Sequence, residues 1–528
     1  MDLIKVVDPK TNIKGDVEKN HIVFVGGERI TYTVNNADSW DNILNNAMWS
    51  VVPPSDKTII DRNIKIRAYF EVVVDQPLDI GTHDALRQMP LSSLIDVTQA
   101  QINGEAISDN TGSTLHAMLC YGNDAETRDR HLSESPAMPD CFQNYEDQLV
   151  IGNGRSPLND YGETGQETPR GGFDYELSED LKTLRCVVTE PLFLSPFQQY
   201  QDMDEGFINV NSLRVSLRFK SKVDRILSHA INPNVADQIS TVDVKFTRAP
   251  ELLINYITPS ITQPLPELQV LPYHQMQQYI RNVATIPVGE EKDVLSDTIR
   301  LSVIPEKIYL FVSHSEQTKG FNVSDSFCPI KKLSVSWGNQ SGLFSSASRQ
   351  QLYRMSQENG LNYSFPAFKK YRGSVICLRM GKDIGLQANE APGVNGSYNI
   401  QVSMTVENTS SDDYEPTFYM CVCNTGTFSI GANSARASIG NLSGDMVLSA
   451  RGSDAELDYH QAFAGGSAKN FFQGLKRFAH KVSGVVGKLA VPIGSALGHP
   501  EMGAAVKRGA DLVHSLSKGG RLSGGGRI

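Results

Sequence analysis

Apolar residues recur at every second position over short stretches of this chain, and they do so in two consecutive halves. Ile64, Ile66, Ala68, Phe70, Val72 and Val74 alternate with Lys65, Arg67, Tyr69, Glu71 and Val73. A repeat of two lays one face of an extended strand on a core and leaves the other wet. The pattern returns at Leu213, Val215, Leu217 and Phe219, and at Val242, Val244 and Phe246. Beyond the middle of the chain it reappears at Ile308, Leu310 and Val312, and at Leu333, Val335 and Trp337. Ile400, Val402, Met404 and Val406 follow, then Phe418, Met420 and Val422. Turn-forming Gly, Pro, Asn and Ser separate these runs. The combination predicts an all-β chain of consecutive antiparallel sandwiches and argues against a parallel sheet with crossover helices.

A chain of 528 residues is too long for one hydrophobic core. Residues 259–272 (PSITQPLPELQVLP) carry four prolines, which predicts an extended connection. The expected division is a first sandwich over residues 1–260, a second over 261–450, and a tail over 451–528. Within the first, residues 122–172 are rich in Asp, Glu, Gly, Pro, Asn and Arg without a period. They read as a long loop insertion at one end of the scaffold. Helices are expected at Ser346–Glu358 and at Asp38–Ser50. The first would be capped by Ser345 or Ser346, face inward with Leu352 and Met355, and stop at Gly360.

Charge divides the chain. The formal net charge is −10, yet residues 465–528 hold ten Lys/Arg against Glu501 and Asp511, so that tail is +8 and the remainder −18. An acidic body does not seek nucleic acid or anionic membrane; a basic tail can. Met1-Asp-Leu-Ile-Lys leads into no apolar run, so no secretory signal is expected, and no window is apolar enough for a membrane-spanning helix. Seven widely spaced cysteines argue against a disulfide framework and for a reducing compartment. Cys421 and Cys423 share one face of a strand near the limit for bridging, and read as buried thiols.

Catalytic signatures are missing from the sequence. Gly152-Asn-Gly154 opens like a dinucleotide loop, but Pro157 stands where the third glycine belongs. There is no phosphate-binding Gly-x-x-x-x-Gly-Lys, no His-Glu-x-x-His, no Cys-x-x-Cys and no Gly-x-Ser-x-Gly. No catalytic, cofactor-binding or metal-ligating residue is therefore assigned.

Leu333-Ser-Val-Ser-Trp-Gly-Asn-Gln-Ser-Gly-Leu-Phe-Ser, followed by Leu352-Tyr353 and Asn359-Gly360, resembles the second jelly roll of double jelly-roll major capsid proteins. The likeness is to those of small double-stranded DNA viruses of the polinton-like and adintovirus-like kind. Asp383-Ile-Gly-Leu, Ala391-Pro-Gly-Val-Asn-Gly-Ser-Tyr and Gly426-Thr-Phe-Ser-Ile look like the same family. Arg87-Gln-Met-Pro-Leu-Ser-Ser, Ile102-Asn103-Gly104 and Ala249-Pro-Glu-Leu-Leu-Ile-Asn-Tyr-Ile are similar to its first jelly roll. The resemblance implies a structural, non-enzymatic protein without cofactors. It implies a homotrimer in which two lobes per chain give a pseudo-hexagonal, hexon-like capsomer. Such capsomers tile an icosahedral virion beside neighbouring capsomers, penton proteins and minor capsid proteins, and assemble inside the host cell. The rival reading is a jelly-roll carbohydrate- or receptor-binding protein, such as a vertex or fibre component.

The tail carries a helical apolar stripe that includes Phe471, Phe472, Leu475 and Phe478, with Lys476, Arg477 and Lys481 largely off it. Three roles stay open: contact with an internal membrane, contact with packaged DNA, and docking on protein during assembly. Gly465-Gly466 and Gly524-Gly525 resemble Gly-Gly sites cut by adenovirus-like maturation proteases. Linkers that are never cut are the plainer alternative.

Overall fold

The alternation at residues 64–74 becomes the strand Lys65–Val74, whose even-numbered side chains are all buried. The computed structural model describes residues 3–7, 14–18, 28–41, 44–80, 84–87, 89–122, 174–197, 206–229, 238–258, 267–315, 319–323, 325–371, 373–409, 413–431 and 433–451. Every strand pair among them named below is antiparallel.

In the first half, Lys65–Val74 lies in an eight-stranded sheet, flanked by Thr183–Pro191 and by Val242–Phe246 and Glu251–Thr258. A five-stranded sheet is built around Leu213–Phe219, which pairs with Asn46–Val51 and Ile95–Ile102. The two sheets share one core. Phe246 of the larger sheet stacks on Phe70 and meets the edge of Phe219 from the smaller sheet at 5.5 Å. Trp49 is fully buried there, and its indole N–H donates to the Pro250 carbonyl at 3.1 Å, which pairs the one polar atom the ring brings into the core.

The second half repeats the plan with two five-stranded sheets. Pro416–Gly431 is the spine of one: Leu268–Asn282 pairs along one side, and Lys307–His314 followed by Ser434–Ile439 occupy the other. Asn395–Glu407 is the spine of the other, next to Ile330–Trp337. No strand pair described crosses residues 259–267. A separate compact unit begins at Ser443; its described part is the helix Gly444–Arg451. The expected helical stripe of the tail lies outside the described residues.

Several expectations need correction. Asp38–Ser50 is not a helix: it contains the strands Ser39–Trp40 and Asn46–Val51. Ala47, Trp49 and Val51 alternate inward, so period two governs the segment. The helix Arg349–Glu358 is capped by Ser348, not by Ser345 or Ser346. The Ser348 hydroxyl accepts from the Gln351 N–H and the Gln351 side chain accepts from the Ser348 N–H, a capping box. Ser345 and Ala347 are engaged in the preceding turns. The helix buries Leu352 and leaves Met355 half-buried. Gly360 follows its end at a φ of +107°, where a side chain would be strained. The proline-rich connection also ends earlier than its last proline, because the strand Leu268–Asn282 takes in Pro272. That strand has a described partner on one side only, the place where a sheet tolerates a residue without an N–H. Two helices of the first half, Pro90–Leu94 and Thr111–Gly122, had no clear sequence signal.

One departure points to the functional architecture. Lys307–His314 and the first nine residues of Pro416–Gly431 do not alternate; they are buried on both faces. A sheet is buried twice only when something covers its outer side.

Candidate functional site

The first sandwich supplies that cover, and a continuous seam joins it to the second. The seam is anchored by Asp325, which lies between the strands Lys307–His314 and Ile330–Trp337. Two arginines from the first sandwich reach it. Arg87 follows the short strand Asp84–Leu86, and Arg225 sits in the 3-10 turn Asp224–Ile226. The turn and strand are held together because the Arg87 N–H donates to the Ile226 carbonyl at 2.9 Å. Arg87 Nη1 donates to Asp325 Oδ2 at 3.0 Å, and Arg225 Nη2 to Asp325 Oδ1 at 2.8 Å. Arg87 Nη2 also donates to the carbonyls of Gly320 and Val323. All three side chains are at most 2% exposed.

The chain around Asp325 is pinned by neighbouring contacts. The backbone N–H of His229 donates to the Phe321 carbonyl at 2.8 Å, and the His229 ring binds Asp84 through Nδ1 at 2.6 Å. Gly320 passes so close to Asp224 that an added Cβ would sit 2.9 Å from its carboxyl oxygen. Arg87 is placed by the next helix: Glu190 accepts from the N–H groups of Leu91 and Ser92, at 2.8 and 2.7 Å, and so fixes the start of Pro90–Leu94. Burial pushes the Glu190 carboxyl up to about 7 against those donors.

A second stretch of seam runs along the helix Thr111–Gly122. The Tyr121 hydroxyl donates to the Val375 carbonyl at 2.7 Å while its ring meets Tyr309 edge-on at 5.4 Å. Burial holds the Tyr121 phenol well above its usual range, so it stays a donor. Ser113 and Gln278 bond at 2.7 Å, and Gln278 Nε2 returns a bond to the Asn110 carbonyl. Farther along, Asn103 donates to the Gly431 carbonyl, Gln269 bridges Gly206 and Ile208, and Glu105 accepts from the Ala437 N–H. Apolar packing is continuous across the same line: Leu271, Tyr273, Phe428 and Ile430 belong to the first sandwich's core cluster.

This arrangement fixes the geometry of the two sandwiches. A shallow cleft of 460 Å³ lies beside Arg349–Glu358, lined by Tyr353, Gln357, Asn362 and Tyr363 among others. It has no carboxylate, imidazole or thiol in its lining. Six cysteines are described, all buried and none in a disulfide. Burial pushes the thiols of Cys186, Cys328, Cys377 and Cys423 up to about 12 and that of Cys421 further, so none of these five offers a thiolate near neutrality. The Cys421–Cys423 pair is therefore a pair of buried thiols. The tail residues Phe471, Phe472, Leu475, Lys476, Arg477, Phe478 and Lys481, and the Gly465-Gly466 and Gly524-Gly525 pairs, lie outside the described residues.

Residues 2–257 match the family model of the Sputnik virophage major capsid protein 1st domain. Residues 274–372 and 370–426 match that of the major capsid protein V20 C-terminal domain. The putative capsid protein V20 of Sputnik virophage is 28% identical over 581 residues, covering 99% of this chain and 96% of the relative. A chain of the Sputnik virophage solved by cryo-EM at 3.5 Å superposes with a TM-score of 0.76 at 28% identity, covering 89% of this chain and 98% of that one. The crystal structure of the mavirus major capsid protein superposes with a TM-score of 0.64 at 16% identity, covering 79% and 92%, a likeness of fold.

The Asp325 clasp has a measurable weight. Asp325→Ala leaves two buried guanidiniums without their anion and is expected to cost about 3–5 kcal/mol. Asp96→Ala removes the carboxylate whose Oδ2 accepts from Nε and Nη2 of Arg218, a pair with side chains 45% and 66% exposed, and should cost about 0–1 kcal/mol. Denaturant unfolding of both variants checks the difference; equal losses would contradict a clasp.

Proposed function

We propose that this chain, like the Sputnik virophage major capsid protein it is similar to, is a double jelly-roll capsid protein of which three copies close into a pseudo-hexagonal capsomer of an icosahedral virion. The chain is a structural capsid protein and not an enzyme. The observation that carries the proposal is the seam. It joins two sandwiches of the same kind through buried charges, hydrogen bonds and one continuous core cluster. A ring of three such blocks presents six lobes, and a six-sided tile fills a plane. Closed cyclic trimers use one heterologous contact repeated by rotation. Interfaces of this obligate kind bury on the order of 2,000 Å² or more.

The remaining partners follow from tiling. Neighbouring capsomers meet edge to edge, different penton proteins fill the vertices, and minor capsid proteins cement the shell. Assembly takes place inside the host cell, without secretion. Kinship with polinton-like and adintovirus-like capsid proteins is the wider relation we assign, on the matches between residues 330 and 430.

The sequence of the tail supports a role in assembly. The stripe through Phe471, Phe472, Leu475 and Phe478 docks on protein, while Lys476, Arg477 and Lys481 stay in water. Binding of an internal membrane or of DNA are the other outcomes. Cutting after Gly465-Gly466 or Gly524-Gly525 by a maturation protease would release the tail or its last residues.

Two measurements check these readings. Sedimentation of the purified full-length protein should give three times the 58.1 kDa chain mass. A monomer that binds glycans would instead favour the lectin-like reading. Mass spectrometry of the protein from virions should find chains ending at one of the Gly-Gly pairs; chains ending at Ile528 would remove the cleavage proposal.

A further inference from the structure

One acid in the seam is placed unlike the rest. Asp109 ends the strand Glu105–Asp109, where the first sandwich meets the second, and is 9% exposed. Its carboxyl takes the N–H of Asn110, but Oδ1 is buried with no hydrogen-bond partner among the described residues. The titratable groups it faces come from two strands of the second sandwich. Its charge is felt by Tyr273 on Leu268–Asn282 and by Cys421 and Cys423 on Pro416–Gly431, while Glu105, on its own strand, also faces Tyr273. The pairing strand contributes Thr98, which carries no charge. Nearby cations are engaged elsewhere: Lys307 and His274 both bind Glu306, at 3.2 and 3.4 Å, and Lys220 donates to the Gly112 carbonyl. No described residue forms an ion pair with Asp109. The contrast with Asp325, held by two guanidiniums, is direct.

We propose that Asp109 is a proton-operated latch between the two sandwiches. A neutral carboxyl is accommodated in the seam, and an ionised one puts an uncompensated charge there and loosens the contact. Burial pushes this carboxyl up to about 7 in the folded chain, against about 3.9 in an unfolded one. The folded state therefore holds one more proton between those limits. The stability this proton supplies is fully present below about pH 4, declines as pH rises, and is gone above about pH 7, by up to about tenfold in the folding constant per pH unit. His314 does not play this part: burial drives it down to about 3, leaving it neutral between pH 4 and 8. Glu190 titrates in the same window, but it lies within the first sandwich, on Leu91 and Ser92.

The test compares wild type with Asp109→Asn, full-length and under guanidinium, at pH 5, 6, 7 and 8. Asp109→Asn keeps the shape and cannot ionise, so the wild-type folding constant should fall more steeply with pH than that of the variant. The difference should reach at least tenfold by pH 8. Parallel pH profiles would overturn the latch. Hydrogen exchange of the wild-type protein, corrected for its intrinsic pH dependence, reads the same event without relying on the variant. Amides of residues 105–109, 273–275 and 419–423 should lose protection selectively between pH 5 and 7 and level off above that. A uniform change across the chain would equally overturn it.

Discussion

A carboxylate shared by two buried guanidiniums is the constraint on which this architecture depends. Asp325 belongs to the second sandwich and both arginines to the first, so sliding one sandwich along the other would leave buried charges unpaired. Such a cluster adds little net stability over an apolar contact of the same size. Its strength is directional: each guanidinium must set one Nη on one oxygen of Asp325, and two more carbonyls take Nη2 of Arg87. Apolar faces alone would allow the lobes to slide or rotate. The clasp, with Tyr121, Gln278, Asn103 and Glu105 along the same line, selects one relative placement.

This explains why the second sandwich looks unlike the first in burial. The large sheet of the first sandwich has a wet face, laced by Arg185–Glu71–Lys245 and Arg67–Glu251–Arg248, with the Arg248 guanidinium over the Tyr69 ring at 3.4 Å. The central strands of the second have no such face where the first sandwich covers them. A tile built from rigid two-lobed blocks carries its shape into the lattice, whereas a flexible pair of lobes would have to be ordered at every assembly step.

Much of this was legible in the sequence where one face of a strand meets water. Lys65–Val74, Leu213–Phe219 and Asn395–Glu407 show their alternation plainly because charged or polar residues mark the other face. Asp38–Ser50 misled because acidic and hydroxyl residues at its start imitate a helix cap. Leu268–Asn282 was hidden by Pro272 and by the run of glutamines on a half-buried edge. The clasp could not be read at all. Arg87 lies 238 residues from Asp325, and Arg225 lies 100 residues from it; no local period links them. No local pattern marks Asp109 either, since residues of the second sandwich complete its surroundings.

The central claim is that the two lobes form one mechanical and thermodynamic block. Each has its own buried reporter, Trp49 in the first and Trp337 in the second. Tryptophan fluorescence of Trp337→Phe and Trp49→Phe variants, each also lacking the half-buried Trp40 as Trp40→Phe, follows one lobe at a time during denaturation. Coincident midpoints for the two reporters are what a locked seam requires; well-separated midpoints, with one lobe melting while the other stands, would contradict it.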